Sequence, residues 1–253
     1  MFPSPRLSPL ALAAAICLPG TVMAATVTSF GFDSGYADNA VFASDGIFLK
    51  DSSGATSDVV SLSTPGTNTM SVEQVGSADT GNGFLYDSGG TPAKYDVASP
   101  LETASSLGSH FLRTTTGLTG SFVTSAAVFR FDFAGGVAAV SGELWDIDGN
   151  TSQGSEAWRV VVILSGGGTV EALSPVGTNN KDTTSLDGQS WRFSFARAGN
   201  EIEALDFHFV GSKTTGIGAA FDNLTITQVP LPTGALLLGG ALIGLVGLRR
   251  RLA

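Results

Sequence analysis

Cysteine is all but missing from this chain of 253 residues: the one example, Cys17, lies in an apolar stretch near the N-terminus. If that stretch is a discarded leader, neither a disulfide nor a thiolate metal site holds the mature fold. Histidine is nearly as scarce. Only His110 and His208 occur, and neither lies beside a convincing nucleophile or carboxylate in the sequence, so both read as surface or hydrogen-bonded polar residues and not as bases. Also lacking are a Gly-x-Ser-x-Gly elbow, a His-Glu-x-x-His pair and a glycine loop of the kind that cradles phosphate. Carboxylates are plentiful, so a glycosidase acid and base pair is not excluded, because its separation across a cleft is not written in the sequence.

Positive charge is scarce too. Of the 13 Lys and Arg residues, Arg6, Arg249, Arg250 and Arg251 lie in the terminal segments, so 13 less 4 leaves 9 against 22 acidic residues in residues 25–228, a formal charge of −13. Such a surface repels nucleic acid and anionic lipid heads, which excludes both as partners of this part of the chain. It is compatible with divalent cations.

What is present points to strands. Through residues 25–228, Gly, Ser, Thr and Asp punctuate short alternating runs, and no stretch keeps a helical period. Strands are expected at residues 26–33, 47–50, 59–62, 70–75 and 121–124. In Val128-Phe129-Arg130-Phe131-Asp132-Phe133 the three phenylalanines fall on one face. Gly135-Gly136 then reads as a hairpin turn into residues 137–145. A second hairpin is expected from residues 158–164 and 169–173 around Gly166-Gly167-Gly168. Further strands are expected at residues 191–195, 205–209 and 220–227. Strands with one apolar face each need a second sheet to cover them, so the expected fold is all-β, an antiparallel β-sandwich or jelly roll.

Both ends depart from this pattern. Arg6, the apolar run Leu10–Leu18, the break at Pro19-Gly20 and the small residues of Val22-Met23-Ala24 form a signal peptide, with cleavage expected between Ala24 and Ala25. At the other end Val229-Pro230-Leu231-Pro232 precedes an uncharged apolar run from Ala235 to Leu248 and then Arg249-Arg250-Arg251. As a helix, residues 233–248 would rise roughly 24 Å, near the hydrocarbon thickness of about 30 Å, with the arginines stopping translocation. The chain thus divides into a leader (residues 1–24), an exported body (25–228) and a membrane-directed tail (229–253).

This order of motif, apolar helix and basic end resembles the PEP-CTERM sorting signals, in the variant that reads Val-Pro-Leu-Pro-Ala; Thr233 replaces the alanine. The resemblance implies export to the cell envelope, anchoring in the inner membrane, and recognition of Val229, Pro230, Leu231 and Pro232 by an exosortase, followed by transfer to the cell surface or extracellular space. It makes those residues a substrate for another protein. The second half of the body is also similar to β-sandwiches found in front of such tails, through Phe131–Phe133, Val137–Gly142, Asp146-Ile147-Asp148 and Phe221-Asp222-Asn223-Leu224.

Hard oxygen donors suggest calcium at two places. Asp146, Asp148 and Asn150 are spaced like the start of a calcium loop, although Ala157 stands where the loop would need its final glutamate; the same residues also read as an ordinary polar turn. Asp33 with Asp222 and Asn223 would form the other site if the first and last strands pair, and otherwise Asp222-Asn223 reads as a strand-end cap. Trp145, Trp158 and Trp191 could stack on sugar rings, but their places within strands favour core packing. The functional expectation is a non-catalytic envelope or extracellular-matrix protein, with a carbohydrate-binding module as the alternative and a secreted polysaccharide hydrolase behind it.

Overall fold

Alternation of apolar and polar residues decides which way each strand faces, and the computed structural model shows the result. It describes residues 24–42, 46–65, 69–74, 108–114, 126–147, 149–150, 152–177, 186–214, 217–218 and 220–230. Among them are fifteen strands and no helix. The first six are β1 (Thr26–Phe30), β2 (Val41–Phe42), β3 (Ile47–Lys50), β4 (Thr56–Ser63), β5 (Met70–Gln74) and β6 (His110–Thr114). Then come β7 (Phe129–Val137), β8 (Ala139–Ile147), β9 (Gly149–Asn150), β10 (Gly154–Ser155), β11 (Trp158–Leu164) and β12 (Thr169–Leu173). The last three are β13 (Leu186–Ala196), β14 (Ile202–Phe209) and β15 (Ala220–Gln228).

Two antiparallel sheets face each other. One has seven strands in the order β13-β8-β15-β6-β5-β2, with β1 also paired to β15; the other has six, β12-β11-β14-β7-β4-β3. We call them sheet A and sheet B. Phe129, Phe131 and Phe133 are all buried on the inner face of sheet B, as their period of two requires. Across the interface Phe131 and Phe221 lie 4.9 Å apart between ring centroids, Phe207 and Phe221 5.4 Å, and Phe193 and Phe207 5.6 Å. Phe129 stacks on its strand neighbour Phe207 at 4.1 Å. These rings form the centre of a continuous core. Residues Ala25–Val229 make up one compact unit.

The hairpin expected at Gly135-Gly136 is not one. Strand β7 continues through both glycines and pairs with β14 and β4, while β8 pairs with β13 and β15 in the other sheet. The chain crosses between sheets at Ala138, because Val137 and Val140 must both reach the core from opposite sheets. Gly136 is needed there for another reason: at φ 70°, an added Cβ would lie 2.2 Å from the Asn200 carbonyl oxygen. The second expected hairpin does form, β11 pairing with β12 across Gly166–Gly168. The strand expected at residues 121–124 lies outside the described residues.

Strand β15 holds three neighbours of sheet A together. One of its edges pairs with β8 through Ala220–Asp222 and Thr225–Thr227; the other is shared, Ala220 and Phe221 pairing with β6, and Leu224 to Gln228 with β1. A register shift between Asp222 and Thr225 and a left-handed Asn223 (φ 56°) occupy the gap between the two partners. Such bulges re-aim side chains.

Candidate functional site

The outer face of sheet B is charged and ordered. Arg130 on β7 stands directly opposite Asp206 on β14 and Ser63 on β4. Its Nε lies 2.6 Å from Asp132 Oδ1 and its Nη1 3.3 Å from Asp206 Oδ1, and Ser63 Oγ donates to Asp132 Oδ2 at 3.2 Å. Burial opposes the charge of the guanidinium, but the hydrogen bonds and charges of the two carboxylates prevail and hold its pKa above the ordinary value. The arginine is thereby locked as a bridge.

Beside this bridge is a groove of about 550 Å³, walled by Phe48, Ser61, Asp132, Asn200 and Glu203. Phe48 points outward from β3 because Leu49, in the opposite phase, is fully buried. It is 46 % exposed and stands directly across from Ser61. Nothing in the sequence alone singles out this groove, since its walls come from separate strands and loops and meet only through register. The one available signal is Phe48 itself, an aromatic residue on the polar phase of its strand.

On sheet A a second groove, of about 530 Å³, is lined by Ser141, Glu143, Arg192, Ser194, Asn223 and Thr225 among others, from two adjacent polar rows of the sheet. Ser194, Ser141, Thr225 and Ser29 stand opposite one another across four strands. Arg192, Glu143 and Asp222 form the adjacent charged row. Arg192 Nε contacts Glu143 Oε1 at 2.7 Å, and Asn223 Nδ2 donates to Glu143 Oε2 at 3.0 Å. Asp222 is 1 % exposed, and its Oδ1 has no hydrogen-bond partner. Burial above all raises its pKa to about 8; the backbone N–H groups of Asn223 and Phe32 oppose the rise, and the charges of Asp33 and Glu143 add to it.

The other expected residues are scattered around the fold. Asp33 Oδ1 accepts from the backbone N–H groups of Ser109 and His110 and from Ser109 Oγ at 3.1 Å, tying the end of β1 to the start of β6. It lies near enough to Asp222 to raise that group's pKa. The backbones of Asp146 and Asn150 are on β8 and β9, but their side chains, and Asp148 entirely, lie outside the described residues. Trp145 and Trp158 are fully buried and Trp191 is half-buried, in keeping with core packing. Ala24 and Ala25 are exposed ahead of β1. Val229 is gripped at both backbone groups by Asn200, its N–H donating to Oδ1 at 2.9 Å and its carbonyl accepting from Nδ2 at 2.9 Å. Pro230 is the last described residue; Leu231, Pro232, Arg249, Arg250, Arg251 and the expected tail helix lie beyond it. Among the described residues no helix is long and apolar enough to cross a membrane.

Asp33, Ser109 and His110 are joined in a chain, with His110 Nδ1 2.9 Å from Ser109 Oγ. The carboxylate holds the serine and not the imidazole. That is the wrong order for a nucleophilic triad, where the carboxylate must orient the histidine. Among the described residues no group of three or more His, Cys, Asp or Glu is placed to hold a metal ion.

No family model matches the chain, and no curated protein does. Among solved structures it is similar to the C-terminal family 22 carbohydrate-binding module of Clostridium thermocellum Xyn10B, at 12 % identity and a TM-score of 0.31, over 77 % of this chain and 93 % of that one. The CBM22-1 xylan-binding domain of Paenibacillus barcinonensis Xyn10C gives 12 % identity and a TM-score of 0.27, over 77 % and 97 % of the two chains. The CBM22-1 and GH10 modules of the Clostridium xylanase give 15 % and 0.27, over 48 % of this chain and only 22 % of that longer one. Overlaps this shallow leave function to the chain's own residues.

Proposed function

We propose that the chain is an exported, non-catalytic β-sandwich protein that holds a polysaccharide strand along the outer face of sheet B at the cell surface. The observation that carries this reading is the exposed ring of Phe48 on the wall of a groove that also presents Asp132, Asn200 and Glu203. A pyranose ring offers an apolar C–H face and a rim of hydroxyls. The first packs on an aromatic face, and the second hydrogen-bonds to carboxylate and amide groups fixed in advance, here Asp132 by the Arg130 bridge and Asn200 by the Val229 backbone. A volume of about 550 Å³ falls within the range of small-ligand sites, roughly 300–1,000 Å³. The sheet A groove lacks an exposed ring, Phe193 being 4 % exposed.

Delivery rests on the two ends: the leader for export, and the Val229-Pro230-Leu231-Pro232 tail for anchoring and exosortase recognition. Binding in the sheet B groove does not depend on that route. Affinity electrophoresis of the full chain through gels containing neutral and acidic polysaccharides tests the binding role. At least one gel retards the protein, and Phe48→Ala abolishes the retardation while the melting temperature stays within a few degrees. Equal mobility in every gel, or retardation that survives Phe48→Ala, overturns it.

A further inference from the structure

We propose that Asp33 and Asp222 hold a divalent cation of the calcium class where the first and last strands meet, the remaining oxygens coming from backbone carbonyls, the Asn223 amide and water. Asp222 carries the argument. It is a buried carboxylate, 1 % exposed, and its Oδ1 is without a hydrogen-bond partner. Left so, its charged form carries a desolvation penalty that nothing at Oδ1 offsets. The neighbouring charge is already answered, because Arg192 and Asn223 occupy both oxygens of Glu143. No basic side chain among the described residues makes an ion pair with Asp33 or Asp222.

Geometry concentrates this deficit. The bulge of β15 sets Asp222 and Asn223 in the gap between β1 and β6. Asp33 closes the gap by capping the start of β6. Gly31 borders it: a Cβ there would stand 3.8 Å from Asp222 Oδ1. A cavity of about 270 Å³ opens at this point, lined by Gly31, Asp33, Ser52, Asn223 and Thr225 among others. Two carboxylates with carbonyl, amide and water oxygens suit a hard cation of flexible coordination, which takes 6–8 oxygens, and suit poorly a metal that wants imidazole or thiolate. Bound, the ion would staple three stretches far apart in the sequence, around residues 33, 109 and 222. It stands apart from the sheet B groove, so a failure of polysaccharide binding leaves it untouched.

Thermal melting and calorimetric titration of the full chain, first stripped with EGTA, test the site. Calcium chloride is expected to give one saturable heat and a melting temperature roughly 5–10 °C higher at a hundredfold excess over Kd. Asp222→Asn, which keeps the shape and removes the charge, is expected to melt cooperatively and to lose both effects; Asp33→Asn weakens binding at least tenfold. Equal midpoints in calcium and EGTA with no binding heat, or an Asp222→Asn protein that binds as well as the parent, overturns the proposal.

Discussion

Thr26, at the start of the first strand, stands directly opposite Gln228, at the end of the last one. The two ends of the folded unit are therefore about one strand spacing, roughly 5 Å, apart. Gln228 is also tied to the sheet crossing, its Nε2 donating to the Gly136 carbonyl at 3.2 Å. Strand β1 is short, and of its residues only Phe30 is buried, opposite Leu224. Phe30→Ala should thus cost about 3–5 kcal/mol of stability. Urea unfolding checks the value, and amide exchange of residues 225–228 should rise with it.

Gly142 lies on the inner face of β8, where an added Cβ would be 2.9 Å from both Phe193 Cζ and Phe221 Cζ. Gly142→Ala should therefore push two rings out of the aromatic centre, at about 1–3 kcal/mol. Gly166→Ala is the control. Nothing stands within 4 Å of a Cβ there, and a shift within about ±0.5 kcal/mol is expected in the same urea series.

Where alternation is strong, the sandwich can be read from residues alone. Phe129-x-Phe131-x-Phe133 and Leu205-x-Phe207-x-Phe209 bury one phase and leave the other partly exposed, as a strand with one face on the core must. Strand β6 escapes such a reading because His-Phe-Leu-Arg-Thr shows no alternation, and it shows none because both of its faces are covered, down to Arg113 at 6 % exposure. The Gly135-Gly136 hairpin fails for a different reason: a glycine pair marks a change of direction, but not whether the chain returns within its sheet or passes to the facing one. The site expected from Asp33 with Asp222 and Asn223 has pairing of the terminal strands as its condition, and that pairing is present between β1 and β15. The Phe48 groove has no local signature beyond Phe48 itself, because its walls belong to several strands and loops brought together by register.

A buried ion pair offers a third test. Lys213 Nζ lies 3.0 Å from Glu156 Oε1, and the two side chains are 9 % and 1 % exposed. The same oxygen also accepts the Gly218 N–H at 3.1 Å. Lys213→Met strands a buried carboxylate and should cost about 3–5 kcal/mol. Adding Glu156→Gln should recover most of that loss, so a double-mutant cycle in urea gives a coupling energy well above the roughly 0.2–1 kcal/mol of an exposed pair.

His208 gives a pH signature. Burial above all lowers its pKa from 6.5, the Arg159 charge lowers it further, and Asp206 and the backbone of Ala126 act the other way. The folded imidazole then accepts its proton later than the unfolded one as pH falls. Stability attached to the neutral ring is complete above pH 6.5, declines as pH drops below it, and levels off once the folded ring is protonated. His208→Gln should flatten this part of a stability-against-pH curve. A slope unchanged between pH 7 and 5 would assign it to other groups.

Arg130 tests whether the groove works by arrangement or by charge. Its contacts to Asp132 and Asp206 are half-exposed, at 32 % for the arginine and 40 % and 17 % for the carboxylates, so their removal should change folding stability by no more than about 1 kcal/mol. The effect on binding should be larger. Lysine keeps the positive charge but not the planar fork that reaches both carboxylates at once, and a freed Asp132 would sample positions away from a sugar hydroxyl. Arg130→Lys is therefore expected to weaken polysaccharide retardation about tenfold, with a melting temperature close to that of the parent. Arg130→Met should weaken it further, since Asp132 and Asp206 then repel each other without a bridge. If lysine retains full affinity, charge alone suffices and the fixed geometry of the bridge has no part in binding.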